Sequence, residues 1–160
     1  MRKVISNTTP IINFLKIGKI ELLKEIYGKI IIPEAVYQEI ETGKGKEFYT
    51  NLRKLDWIKI FSIQSISTRL YLFDLDDGEA ETIILAQEQS ADLVIIDEKL
   101  GRRYATQLNI PVTGTIGILL KAKEMNLITV IKPYLNELRN KSSWINDNLF
   151  EKVLNIAGEL

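Results

Sequence analysis

Short apolar runs alternate with amphipathic stretches along nearly the whole of this 160-residue chain. The first run, Val4-Ile5-Ser6, halts at Asn7-Thr8-Thr9-Pro10, where Thr9 as N-cap and Pro10 at the first helical position predict a helix start. Ile11, Ile12, Phe14 and Leu15 make that helix mostly buried, and Gly18 ends it. A second amphipathic stretch over 20–27 closes at Gly28. Lys29-Ile30-Ile31-Ile32 then reads as a buried strand, and Pro33 opens a helix with Ala35, Val36 and Ile40 on one side. Residues 42–46 form a Gly/Lys loop, 48–55 read as helix and 57–61 as strand, while the pattern assigns nothing to 62–75. Asp76-Asp77-Gly78-Glu79 starts a helix with Ala80, Ile83, Ile84 and Gln87 along one side. Leu93-Val94-Ile95-Ile96 is an unbroken apolar run, the mark of a parallel strand covered on both faces. Helix over 102–108, a short edge-like strand over 110–113, and helices over 116–125, 130–139 and 146–157 complete the chain.

Strands separated by helices predict an α/β fold, with a parallel sheet and helices on both faces. No repeat, low-complexity tract or linker divides it, so 1–160 reads as one domain. A chain of this length buries roughly two thirds of its unfolded surface and needs no disulfide or metal staple. Ligands of such sheets bind beyond the carboxyl ends of the strands. That rule selects Asn7, after the first strand, and Asp97, after the Leu93 run.

Composition changes this picture through its zeros. The chain has no Cys and no His, which excludes Cys and His nucleophiles, Ser-His triads, zinc fingers and disulfides. Carboxylates, hydroxyls, amides, Lys, Arg and Tyr remain, and they suit hard-metal or phosphate chemistry. The 21 basic and 21 acidic residues cancel, so any nucleic acid must be held by a local basic patch. No apolar window reaches the roughly 18 residues of a membrane span. The opening apolar run is also too short for a signal peptide, so the expected location is cytoplasmic.

Glu39 in the Pro33 helix and Glu79 in the first turn of the Asp76 helix join Asn7 and Asp97 as oxygen-bearing side chains on separate elements. Mg²⁺ or Mn²⁺ is held by such a set, through one or two carboxylates with waters and substrate phosphate. Each residue also has a plainer role. Asp76, Asp77, Glu79 and Glu81 suit a helix N-terminus, Asp97 suits a turn cap, Asn7 an Asx turn, and Glu39 a solvated helix face. Spacing alone leaves both readings open. A calcium loop is rejected, because Gly78 stands where a third ligand after Asp74 and Asp76 belongs. Lys99, Arg102 and Arg103 follow Asp97 as either a solvated helix face or a phosphodiester contact. Trp144, Leu149, Phe150 and Leu154 lie where a C-terminal amphipathic helix would dock on its own core or on a partner.

Several blocks together resemble one family. Val4-Ile5-Ser6-Asn7-Thr8-Thr9-Pro10-Ile11-Ile12 is similar to the first strand and turn of small PIN-domain proteins. The likeness continues in order through Ile32-Pro33-Glu34-Ala35-Val36-Tyr37-Gln38-Glu39-Ile40, Asp77-Gly78-Glu79-Ala80-Glu81-Thr82-Ile83 and Ala91-Asp92-Leu93-Val94-Ile95-Ile96-Asp97. It ends in Gly101-Arg102-Arg103-Tyr104-Ala105 and Val112-Thr113-Gly114-Thr115-Ile116-Gly117-Ile118-Leu119. The resemblance implies a three-layer α/β/α sandwich with a central, mainly parallel sheet. It also implies an Mg²⁺- or Mn²⁺-dependent endoribonuclease, of the kind that serves as a VapC-like toxin restrained by a small cognate antitoxin. Carried over by motif, the catalytic and metal-binding residues would be Asn7, Glu39, Glu79 and Asp97. Thr8, Thr9 and Glu81 would assist, Lys99, Arg102 and Arg103 would hold RNA, and the protein would be a homodimer. PIN proteins usually carry Asp at the first position, where this chain has Asn7, an oxygen ligand without charge. The alternative expectation is therefore a weak or inactive PIN fold that binds RNA or a partner. A nucleotide-binding domain is disfavoured because the chain has no Walker-type Gly-rich loop.

Overall fold

Val4, Ile30, Ile32, Leu93 and Ile95 pack into one apolar cluster, while Ile5, Val94 and Ile96 pack into a second. Successive side chains on a strand point to opposite faces, so this division puts the strands in a middle layer covered on both sides. A computed structural model describes residues 2–141 and 144–160 and shows how the layer is built. Its strands are β1 (Val4–Ser6), β2 (Ile30–Pro33), β3 (Ile58–Phe61), β4 (Leu93–Ile95) and β5 (Val112–Thr113). They lie in the order β3-β2-β1-β4-β5, and every pairing is parallel. The register Ser6↔Ile95 brings the carboxyl ends of β1 and β4 side by side. The chain leaves β1 toward β2 on one side, whereas β4 and β5 continue on the other. This reversal opens the crevice where ligands of α/β sheets bind.

The first cluster is covered by α1 (Thr8–Lys16), α2 (Glu21–Tyr27), α3 (Glu34–Glu41), α7 (Thr115–Glu124), α8 (Lys132–Lys141) and α9 (Asp147–Ile156). The second lies under α5 (Asp77–Glu88) and α6 (Lys99–Gln107). The α/β/α sandwich is thus as expected, with a sheet that is parallel throughout. Phe150 and Leu154 are buried in the first cluster and Leu149 packs against it, so the last helix docks on its own core. Trp144 stays 38% exposed. No described helix is long and apolar enough to cross a membrane.

Three local expectations change. Helix α1 begins at Thr8, not after Thr9, with Asn7 at the N-cap position but making no side-chain cap bond. Pro10 falls third in the helix, where its missing N–H still belongs to the first turn and goes unmissed. The hydroxyls of Thr8 and Thr9 are given instead to Glu39 and Glu98. Residues 48–55 are not a helix; they hold only a 3₁₀ turn, Leu52–Lys54, in which Asn51 accepts from the Arg53 N–H at 3.1 Å. That side chain offers the backbone a local turn in place of a helix, and only Leu52 there is fully buried. Residues 62–75, unassigned from sequence, contain the short helix α4 (Ile66–Arg69). Arg69 pins this segment by donating to the Leu72 and Leu75 carbonyls and to Asp77.

Candidate functional site

Asn7 sits at the crevice because its own backbone N–H donates to the Ile95 carbonyl at 2.9 Å, extending the β1–β4 pairing by one residue. Only 2% of it is exposed. Its Nδ2 donates to Glu98 Oε2 at 3.2 Å, and Thr9 donates to Glu98 Oε1 at 2.5 Å. Among the described residues, Asn7 Oδ1 is the buried side-chain polar atom left without a partner. Such an orphan costs free energy unless a ligand or water satisfies it.

Glu39 is drawn in from α3 by the Thr8 hydroxyl and by the Gly78 N–H at 3.0 Å. That N–H is one of the unpaired donors in the first turn of α5. A Cβ on Gly78 would stand 2.7 Å from Glu39 Oε1, so the close approach requires glycine. Burial pushes the Glu39 carboxyl above its usual range, against the pull of the Thr8 hydrogen bond.

Glu79 follows on α5, whose N-cap Asp76 accepts the Glu79 N–H at 2.8 Å. The side chain is buried under α6: a Cβ on Gly101 would come within 3.2 Å of Glu79 Oε2. Its carboxyl is pushed up to about 7, first by burial, then by hydrogen bonding to the Asp76 carboxyl and by the charges of Asp76 and Glu98.

Asp97 is settled differently. Its Oδ1 accepts from the Thr115 N–H at 2.7 Å, and its Oδ2 from the Thr115 hydroxyl at 2.7 Å and from Asn13 Nδ2 at 3.1 Å. Burial raises this carboxyl, and the Thr115 hydroxyl opposes the rise.

The structure therefore brings Asn7, Glu39, Glu79 and Asp97 to one end of the sheet and adds Glu98 and Asp76. Glu98, Asn13 and Thr115 escaped the sequence reading. Glu98 had a signal, since it directly follows Asp97 at the end of β4. So did Asn13, a polar residue amid Ile11, Ile12, Phe14 and Leu15. Glu81 is engaged elsewhere, accepting the Ala35 N–H at the start of α3. Lys99 and Arg103 are exposed on α6. Arg102 is half-buried, donates to the Ile96 carbonyl at 3.0 Å, and lines a cleft with Asp97 and Trp144.

Among the described residues, no three carboxylates converge as a ready-made metal cage. Each carboxylate has its own partner instead: Glu39 is tied to Thr8, Glu98 to Thr9, and Asp97 to Thr115. The donor set nonetheless fits Mg²⁺ or Mn²⁺, which need few protein oxygens and keep several waters. The buried, orphaned amide oxygen of Asn7 is a ligand that a hard cation would satisfy.

Comparison with curated proteins finds no match. A family model described as a PIN domain matches residues 3–159. Fold, acidic crevice and family match agree: the chain belongs to the PIN-domain family, a nuclease fold.

Proposed function

We propose that this protein is a divalent-metal-dependent endoribonuclease, the toxin of a toxin–antitoxin pair. The observation that carries the reading is the buried, unpartnered Asn7 Oδ1 at the sheet's reversal point, on a side chain whose Nδ2 donates to Glu98. Asn7, Glu39, Glu79 and Asp97 are the residues we assign to Mg²⁺ or Mn²⁺, with Glu98 beside them. The ion, when bound, supplies Lewis acidity that makes water a nucleophile at neutral pH and offsets charge on the scissile phosphate. The protein's own residues do the rest. Glu79, raised by burial and by its acidic neighbours, must give up its proton before it serves as a ligand to the ion. Asn13 and Thr115 hold Asp97 in one orientation, and Thr8 and Thr9 do the same for Glu39 and Glu98. Arg102 and the exposed Lys99 and Arg103 contact the RNA backbone.

A second copy of the chain and a small antitoxin are the protein partners of this reading. Ile66, Leu70, Tyr71 and Phe73, 71–86% exposed around α4, support a protein partner, since grouped apolar surface of this kind marks interaction sites. Light scattering at tens of micromolar, roughly the range where interfaces of standard size associate, should give a dimer.

The test is cleavage of single-stranded RNA with Mn²⁺ and again after chelation. Metal-dependent cutting is expected. One observation favours the alternative, an RNA-binding module: the first position is an uncharged Asn7. If native protein and Asn7→Asp both bind Mn²⁺ and neither cuts RNA, the module reading replaces the nuclease.

A further inference from the structure

A neutral chain that handles RNA must concentrate positive charge locally, and α6 supplies only one side of the crevice. On the Glu39 side, an open groove of about 750 Å³ is lined by Lys16, Lys46, Glu47, Phe48 and Lys141 among others. A smaller cavity of about 230 Å³ shares Lys16, Lys46 and Phe48 with it and extends to Glu39 and Tyr49. The two share these three lining residues, and the smaller one reaches a candidate site residue.

The lysines come from three separate elements. Lys16 closes α1 and Lys141 closes α8, where the helix dipole alone would favour a cation. Lys46 lies in the loop after α3 and has no helix end to explain it. Lys141 Nζ donates to the Lys16 carbonyl at 2.9 Å, and Lys16 Nζ lies 5.5 Å from the Phe48 ring centroid. Glu47 lines the outer groove, Glu137 Oε2 lies 3.9 Å from Lys141 Nζ, and Glu39 stands at the inner end. A basic groove with aromatic faces is the usual equipment for an unpaired nucleic-acid strand, with phosphates on the cations and bases on the rings.

We propose that single-stranded RNA approaches the site along this groove, its phosphates on Lys16, Lys46 and Lys141 and a base against Phe48. The proposal rests on the nuclease reading for its end point but is tested by binding. Anisotropy of a labelled single-stranded RNA is titrated with protein in EDTA across a series of KCl concentrations. Log affinity falls with log salt in proportion to the phosphates neutralised, by about 0.7 per contact on a single strand. Lys46→Gln and Lys141→Gln should therefore each flatten the slope by about 0.7. Lys152→Gln, exposed on α9 outside the groove, should leave it unchanged. Equal slopes in native protein and both groove variants overturn the proposal, as does an equal loss in Lys152→Gln or no RNA binding at low salt. Cleavage by native protein in Mn²⁺ is scored separately. Cutting with an unmoved slope sinks the groove and keeps the nuclease; a flattened slope without cutting sinks the nuclease and keeps the groove.

Discussion

Two carboxylates of the candidate site, Asp97 and Glu79, live in opposite circumstances. Asp97 is satisfied: three donors from Asn13 and Thr115 fix both of its oxygens. The Asn7–Glu79 corner is not. There an amide oxygen is buried without a partner, and a carboxyl is pushed up to about 7 by burial and by its neighbours Asp76 and Glu98. A fold keeps unsatisfied polar groups only where something offsets them. Asp97 is thus held fast, and on the proposed reading the unsatisfied corner is where a cation would gain most by arriving.

If the corner holds the ion, Glu79→Gln should show the largest effect, a fall of about 10²–10⁴-fold in Mn²⁺-dependent RNA cleavage at saturating substrate, as the ion's stabilisation of transition-state charge is lost. A loss below tenfold would move the chemistry elsewhere. Loosening Asp97 is expected to cost less. Thr115→Val leaves the backbone N–H to Asp97 but removes the hydroxyl, and oriented ligands of this kind lose about 10–100-fold in metal affinity when their supports go. Calorimetric titration with Mn²⁺ measures it, and native affinity in the variant would show that Asp97 needs no such holding.

Adding charge to the unsatisfied corner sharpens the contrast. Asn7→Asp should tighten Mn²⁺ by roughly tenfold, since charge count sets affinity for hard cations. The same change crowds Glu79 and Glu98, so the metal-free melting temperature should drop by about 2–4 °C. Tighter binding without that drop would mean Asn7 is not pressed against the other carboxylates. The smallest effect is in pH. Glu79 must shed its proton to take a cation, so Mn²⁺ affinity should climb from pH 6 and level off above about 7. The slope stays below tenfold per unit, as one shared proton allows. An affinity flat from pH 6 to 8 would contradict the raised carboxyl.

How much of this was legible beforehand follows from range. Strand cores such as Leu93-Val94-Ile95-Ile96 and helix starts such as Asp76-Asp77-Gly78-Glu79 are local patterns, and the structure keeps them. Asn7, Glu39, Glu79 and Asp97 could be named because polar residues at strand ends and helix starts stand out. Their different states could not. Asp97's satisfaction depends on Thr115 and Asn13, which lie 18 and 84 residues away in the chain. The groove lysines meet only when α1, α8 and the 42–51 loop converge. Residues 48–55 were misread for the reverse reason: a local Asn51 turn outcompeted a helix that their composition allows.

The most direct test compares melting temperatures of native protein and Glu79→Gln at pH 8, with and without Mn²⁺. Glu79 titrates above its unfolded value, so its contribution is present at low pH and lost as pH rises through about 7. At pH 8 without metal, Glu79→Gln should therefore melt higher than native protein. Saturating Mn²⁺ should reverse the order, because a ligand held only by the folded state stabilises it. An equal Mn²⁺ shift in both proteins, or a metal-free Glu79→Gln that melts lower, would contradict the claim that this corner is the cation site.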